Sequence, residues 1–140
     1  MAEEILFIVN PISGTGKQKK LSKNLEKTLN YSLFNPTIVY TQHAGHATEM
    51  SREAIGRYKY VIAVGGDGTV NEVVKGLTGS ETTMGIIPVG SGNGLARHLN
   101  IPMDMDEAIK VINKQLTKRI DTVKINNELS VNVSGVGFDA

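Results

Sequence analysis

The chain has 140 residues, the length of one domain, with 40% hydrophobic and 21% charged residues as in an ordinary globular protein. Fifteen Lys and Arg against 14 Asp and Glu leave a net charge of +1, and there is no Trp and only three Phe, so neither a strongly basic nucleic-acid binder nor a base-stacking surface is expected. The absence of cysteine excludes a disulfide framework, a thiolate metal site and a cysteine nucleophile, and it allows an intracellular setting.

Met1 to Val9 contains two acids and a short apolar run, unlike a basic signal peptide. No apolar run approaches the ~20 residues of a membrane span. Ile5-Leu6-Phe7-Ile8-Val9, stopped by Asn10-Pro11, reads as a strand buried on both faces. Leu21, Leu25 and Leu29 then mark one helix face. Thr37 to Tyr40, after Pro36, predicts a second strand. Ala47, Met50 and Ala54 predict a helix over 46–57. Tyr60 to Val64 is a third buried strand. Val70, Val73, Val74 and Leu77 follow at helical spacing. Met84 to Val89, broken by Pro88, is a fourth strand, with a short helix expected over 93–99. Asp104 and Glu107 form a capping-box pattern ahead of a helix with Ala108, Ile109, Ile112 and Leu116 on one face. Strand and helix alternate four times, which predicts an α/β domain with a mostly parallel sheet. From Lys118 the pattern changes to alternating strands around Asn126-Asn127-Glu128, an antiparallel hairpin. The chain stops directly after a strand at Gly137-Phe138-Asp139-Ala140, as a shortened form of a longer chain would.

In open parallel sheets, ligands sit at the carboxyl ends of the strands. Three glycine-rich turns lie at such ends. The first is Asn10 to Lys17. It is not a P-loop, because Pro11 stands where the first glycine belongs and Gln18 where the Ser or Thr belongs. It is not the dinucleotide fingerprint either, because Lys19 replaces the third glycine. Small residues before a helix N-terminus still make an anion site. The second turn is Gly65-Gly66-Asp67-Gly68-Thr69. Its glycines let a ligand approach the main chain. Asp67 either caps the following helix or faces a phosphate through a cation, since a bare carboxylate would repel it. The third turn is Gly90-Ser91-Gly92-Asn93-Gly94. Together the three would line one crevice with main-chain donors, as a triphosphate requires.

Gly65 to Thr69 with Asn71-Glu72, the Asn10-Pro11-x-Ser13-Gly14 turn, and Pro88 to Arg97 resemble the catalytic domain of the diacylglycerol kinase and sphingosine kinase family. The likeness runs along nearly all of the chain. The Gly-Gly-Asp-Gly-Thr element alone is shared with NAD kinases and, loosely, phosphofructokinases. The resemblance implies a three-layer α/β domain over 1–117 that holds ATP, and the start of a β-rich, lipid-shaping second domain over 118–140. It implies ATP and Mg²⁺ as phosphoryl donor and metal. It matches Asn10, Pro11, Ile12, Ser13 and Gly14 to the first nucleotide-contacting turn and Thr41 to a nucleotide-contacting threonine. It matches Gly66, Asp67, Gly68, Thr69, Val70, Asn71 and Glu72 to the phosphate loop, and Ser91 to a following hydroxyl. Asp67 matches the acid required for phosphoryl transfer, acting through phosphate-bound Mg²⁺ or as base. Asp139 lies where sphingosine kinases place a substrate-contacting acid. Gly94 departs from many bacterial diacylglycerol kinases, which have Asp there, and the pattern is closer to sphingosine kinases.

The activity so implied is transfer of the γ-phosphoryl of MgATP to a lipid hydroxyl of diacylglycerol or a sphingoid-type lipid, by a cytoplasmic enzyme peripheral to the membrane. The short chain is expected to be its nucleotide-binding part. An NAD kinase-like enzyme and a non-catalytic nucleotide-binding module are the alternatives. Lys17, Lys19, Lys20, Lys23 and Lys27 form either a solvated helix face or a contact for anionic lipid head groups. Arg97 fits a phosphate contact or a surface ion pair equally. His43 and His46 could share a helix face, but no further zinc ligand stands out. Lys118 and Arg119 flank the expected domain boundary.

Overall fold

The structure, a computed structural model, describes residues 1–12, 16–89, 94–98, 100–114, 118–125 and 129–136. Its strands are β1 (Glu3–Val9), β2 (Phe34–Tyr40), β3 (Tyr60–Gly65), β4 (Thr83–Pro88), β5 (Lys118–Ile125) and β6 (Leu129–Val136). Its α-helices are α1 (Leu21–Thr28), α2 (His46–Ala54), α3 (Asp67–Leu77), α4 (Gly94–His98) and α5 (Met105–Asn113). Lys17–Lys20 forms a 3-10 turn ahead of α1.

One sheet runs in the order β2-β1-β3-β4-β6-β5. The first four strands are parallel and flanked by helices, the three-layer α/β arrangement expected. The apolar runs of β1 and β3 are buried on both faces, as a parallel sheet requires. β2 begins at Phe34, three residues earlier than expected, with Pro36 inside it. Among the described strands β2 pairs only with β1. An edge strand tolerates a proline because its outer side needs no ladder donor. α2 ends at Ala54 rather than at 57, because Gly56 turns the chain at φ 84. Asp104 caps α5 by accepting from the Glu107 amide at 3.0 Å, as its spacing predicts. Leu116 lies outside the described residues.

β5 and β6 form the expected antiparallel hairpin. β6 also pairs in parallel with β4 at Thr83↔Gly135 and Met84↔Val136, so residues 118–125 and 129–136 continue the sheet. Residues 137–140 lie outside the described set.

The helices associate as two pairs, α1 with α5 and α2 with α3. Their inward faces are those the periodicity marks: Leu21 and Leu25, then Val70, Val73, Val74 and Leu77, then Ala108, Ile109 and Ile112, all buried. α2 and α3 approach closely at Gly76. A Cβ there would sit 2.5 Å from Ser51 Cβ and 2.6 Å from the Thr48 carbonyl oxygen, so only glycine fits without displacing backbone.

Candidate active site

The chain leaves β1 for β2 on one side and returns to place β3 on the other. The carboxyl ends of β1 and β3 therefore flank a switch in strand order, where open α/β sheets hold ligands. A cleft of about 390 Å³ opens there. It is lined by Asn10 and Ile12 after β1, Thr41 to Ala44 after β2, and Gly68, Thr69 and Glu72 from α3.

Each wall has a local cause. The Asn10 amide donates to the Val64 carbonyl at 3.2 Å, extending the β1–β3 ladder by one bond. Its side-chain oxygen accepts from the Ile12 amide at 2.9 Å, closing an Asx-type turn. Buried Gln18 donates from Nε2 to the Pro11 carbonyl at 2.9 Å and braces that turn from below. The Thr41 amide donates to the Val9 carbonyl at 2.9 Å, the last bond that ties β2 to β1. Beyond it, the Gln42 amide donates to His46 Nδ1 at 2.9 Å.

The α3 side carries the charge. Gly66 occupies the N-cap position without a side-chain cap, and Asp67 is the first helical residue. Asp67 does not cap α3, the alternative its position allowed. Its exposed carboxylate reaches the first residue of α4, accepting from the Gly94 amide at 2.6 Å. The first helical-type bond here runs from the Val70 amide to the Gly66 carbonyl. The earlier amides of α3, at Gly68 and Thr69, belong to its first turn, where helix N–H groups lack intrahelical partners. A Cβ built on Gly68 meets nothing within 4 Å, so this part of the wall has open space in front of it.

Glu72, matched to the phosphate loop, lines the cleft from α3 and also makes contacts the match did not suggest. Its carboxylate accepts from the Gly45 and Ala47 amides, both at 3.2 Å, at the N-terminus of α2. Thr48 Oγ1 donates to the Glu72 carbonyl at 2.8 Å. Glu72 thus lines the cleft and anchors its opposite wall. Val70 is buried in the core and does not line the cleft, because its helix face turns toward the sheet. Of the other expected contacts, Asn10, Ile12, Thr41, Gly68 and Thr69 share the cleft lining. Pro11, Gly66, Asp67 and Asn71 adjoin those residues in the chain without lining the described cleft. Ser13, Gly14, Ser91 and Asp139 lie outside the described residues. Gln42, His43 and Ala44 line the cleft unforeseen. Their signal was their place directly after a parallel strand.

His43 and His46 stack with ring centroids 4.4 Å apart, and together with Glu49 they offer ligand atoms within 4.8 Å of one another. The expectation that no third ligand accompanies the histidines is corrected to that extent. His46 Nδ1 already accepts from the Gln42 amide and His43 Nδ1 faces the Ala44 carbonyl, so each ring is first a partner of the main chain.

Oxygen donors and main-chain amides fit a magnesium-bound nucleotide: a carboxylate is a ligand type Mg²⁺ takes, and first-turn amides suit phosphate oxygens. The Asp67 carboxylate belongs to the first residue of α3 and accepts from the Gly94 amide. Among the described residues, no helix is long and apolar enough to cross a membrane. The five lysines noted in the sequence are exposed. Lys17, Lys19 and Lys20 sit on the 3-10 turn and Lys23 and Lys27 on α1, and Lys27 pairs with Asp106 at 2.9 Å.

Comparison with known proteins covers the whole of this geometry. The family model for the diacylglycerol kinase catalytic domain matches residues 4–125. A diacylglycerol kinase of Bacillus subtilis is 36% identical over 135 residues, which span 94% of this chain and 45% of the relative. One from Staphylococcus haemolyticus is 35% identical over 134 residues, spanning 94% and 41%. The crystal structure of a diacylglycerol kinase from Bacillus anthracis superposes with a TM-score of 0.73 at 35% identity, covering 86% of this chain and 42% of that one. The chain thus spans less than half the length of these relatives.

Proposed function

The chain belongs to the family of diacylglycerol kinase catalytic domains, and on that footing we propose that it is the nucleotide-binding part of a lipid kinase. The reaction is transfer of the γ-phosphoryl of MgATP to the hydroxyl of diacylglycerol or a sphingoid-type lipid. One observation carries this reading: residues far apart in sequence, Asn10, Thr41, Gly68, Thr69 and Glu72, meet in one cleft at the switch in strand order. In this reading residues 1–117 form the nucleotide domain, and 118–140 begin a β-rich part whose strands join the same sheet through the β4–β6 pairing.

Residues of this chain do three things in that reaction. The amides of Gly68 and Thr69 face the phosphates, where main-chain donors need no reorganisation as charge shifts. Asn10 and Thr41 fix the wall opposite. Asp67, oriented by the Gly94 amide, would hold Mg²⁺ with the triphosphate. Such an ion would neutralise charge on the triphosphate during transfer. The lipid oxygen forms its bond to γ-phosphorus as the bond to the β-γ bridging oxygen breaks, ADP leaves, and the hydroxyl proton is released to solvent. The exposed lysines of residues 17–27 face an anionic membrane surface from the aqueous side, where the lipid hydroxyl is presented.

Calorimetric titration of the chain with MgATP tests the nucleotide half, with Asp67→Ala and NAD as controls. Saturable ATP binding that weakens at least about tenfold in D67A is expected, the scale of a lost charged partner. Tight NAD binding in place of ATP would move the chain to NAD kinase-like chemistry. A phosphorylation assay of this chain with MgATP and a lipid panel then identifies the acceptor.

A further inference from the structure

His46 was weighed above only as one of a histidine pair, yet its ring accepts a bond from the segment that forms one wall of the cleft. β2 ends its ladder with the Thr41 amide on Val9. The next amide, Gln42, has left the sheet and points to His46 Nδ1 at 2.9 Å. An amide only donates, so Nδ1 must present its lone pair and the ring proton sits on Nε2. His43 shows the opposite tautomer. Its Nδ1 lies 2.9 Å from the Ala44 carbonyl, which only accepts, so Nδ1 carries that ring's proton. The two rings stack at 4.4 Å and 11°. Beyond the Thr41–Val9 bond, the 41–45 segment is held by the His46 ring at Gln42, by the His46 amide on the His43 carbonyl at 3.2 Å, and by the Glu72 carboxylate at Gly45. This segment supplies Thr41, Gln42, His43 and Ala44 to the cleft.

We propose that His46 is a positioning residue of the nucleotide cleft, its Nδ1 accepting the Gln42 amide and so fixing the Thr41–Ala44 wall. The consequence for ATP rests on the nucleotide reading above; the tie itself does not. The design carries a pH dependence of defined sign. A second proton on His46 makes Nδ1 a donor that faces another donor, so the wall is released at acidic pH. The groups around the ring are mixed. Glu72 approaches from α3, Glu53 and Arg57 share a hollow with His46, and Glu49 lies 3.9 Å from His43 Nε2. The neighbours from β1 and β2, Leu6 and Val39, are apolar.

Amide hydrogen exchange of Gln42, read by NMR without ligand at about pH 8, tests the tie. H46N keeps a side-chain acceptor that does not titrate, and H46L removes it while filling similar space. Exchange at Gln42 is expected to be slow in wild type and H46N and at least about tenfold faster in H46L. Long-range nitrogen-proton correlation should place the His46 proton on Nε2. MgATP affinity is expected to fall about five- to tenfold in H46L, the scale of one lost hydrogen bond, and to stay near wild type in H46N. On acidification wild type should change toward H46L while H46N stays flat, because only an imidazole acceptor is lost to a second proton. Equal Gln42 exchange in wild type and H46L overturns the proposal, as does H46L binding MgATP like wild type. A wild-type chain that takes up no MgATP sinks the nucleotide reading instead, and the exchange comparison still decides the role of His46.

Discussion

The two helix pairs that flank the sheet are joined by different physics. α2 and α3 meet backbone to backbone at Gly76, with Ser51 buried between them and its hydroxyl returned to the Ala47 carbonyl at 2.7 Å. α1 and α5 meet through side chains near the surface. Asn113 Nδ2 donates to the Thr28 carbonyl at 2.7 Å, its Oδ1 accepts from the Asn30 amide at 2.8 Å, and Lys27 pairs with Asp106. The site lies on the α2–α3 side, because Glu72 and Asp67 both come from α3 and the 42–47 segment leads into α2. Close packing holds atoms to tenths of an ångström, whereas solvated polar links yield to salt and pH. The cleft is built where the tolerance is smallest.

Substitutions can break this contrast, and the largest effect is expected at Gly76. G76A places a methyl against Ser51 and the Thr48 carbonyl, and overpacking of this kind costs about 1–3 kcal/mol, more than the gain in helix propensity of about 1 kcal/mol. Urea unfolding measures it. Adding S51G to G76A should recover part of the loss, because one of the two crowding atoms is then gone. Full stability in G76A would show that the pair is loosely packed after all.

E72A should come next. It removes the acceptor of two amides at the α2 N-terminus, for about 1–2 kcal/mol of stability, and it should weaken MgATP binding more than it lowers the melting temperature. E72Q, which keeps one oxygen acceptor, should fall between. N113A deletes two links between α1 and α5 and is expected to cost about 1 kcal/mol, with MgATP binding unchanged. A binding loss in N113A equal to that in E72A would erase the distinction between the two sides.

The smallest effect is at Lys27. The hydrogen bond and charge of Lys27 hold the Asp106 carboxyl below its ordinary value, with Thr28 and Lys110 adding to the shift against a smaller cost of desolvation. A carboxylate with a lowered folded-state pKa stabilises the fold above its unfolded pKa, and that contribution fades as pH falls through the folded value. K27M should therefore differ slightly from wild type in melting temperature at neutral pH, and the difference should vanish in acid and in high salt. A difference that grows in acid would contradict the sign.

Much of this molecule is legible along the chain because its signals are local. Buried strands appear as unbroken apolar runs at Ile5–Val9 and Tyr60–Val64, and helix faces repeat at Leu21, Leu25 and Leu29. Asp104 with Glu107 marks a helix start that the structure retains. The departures are equally physical. Pro36 reads as a boundary only until β2 is known to be an edge strand, and Gly56 stops α2 where apolar spacing alone would continue it. The family likeness of the glycine turns is also present in the sequence, since it rests on residue types at fixed spacings.

What spacing does not contain is which distant groups meet. Asp67 could cap its own helix or serve another partner, and the Gly94 amide, 27 residues away, settles the matter. Glu72 resembles part of a phosphate loop, and folding brings it to the amides of Gly45 and Ala47. His46 looks like half of a sparse metal pattern until the turn after β2 gives its Nδ1 a donor. Periodicity and turn chemistry act over a few residues and are written into neighbouring side chains. Strand order and helix pairing come from packing many elements at once, and they alone determine which carboxylate or imidazole a given amide finds.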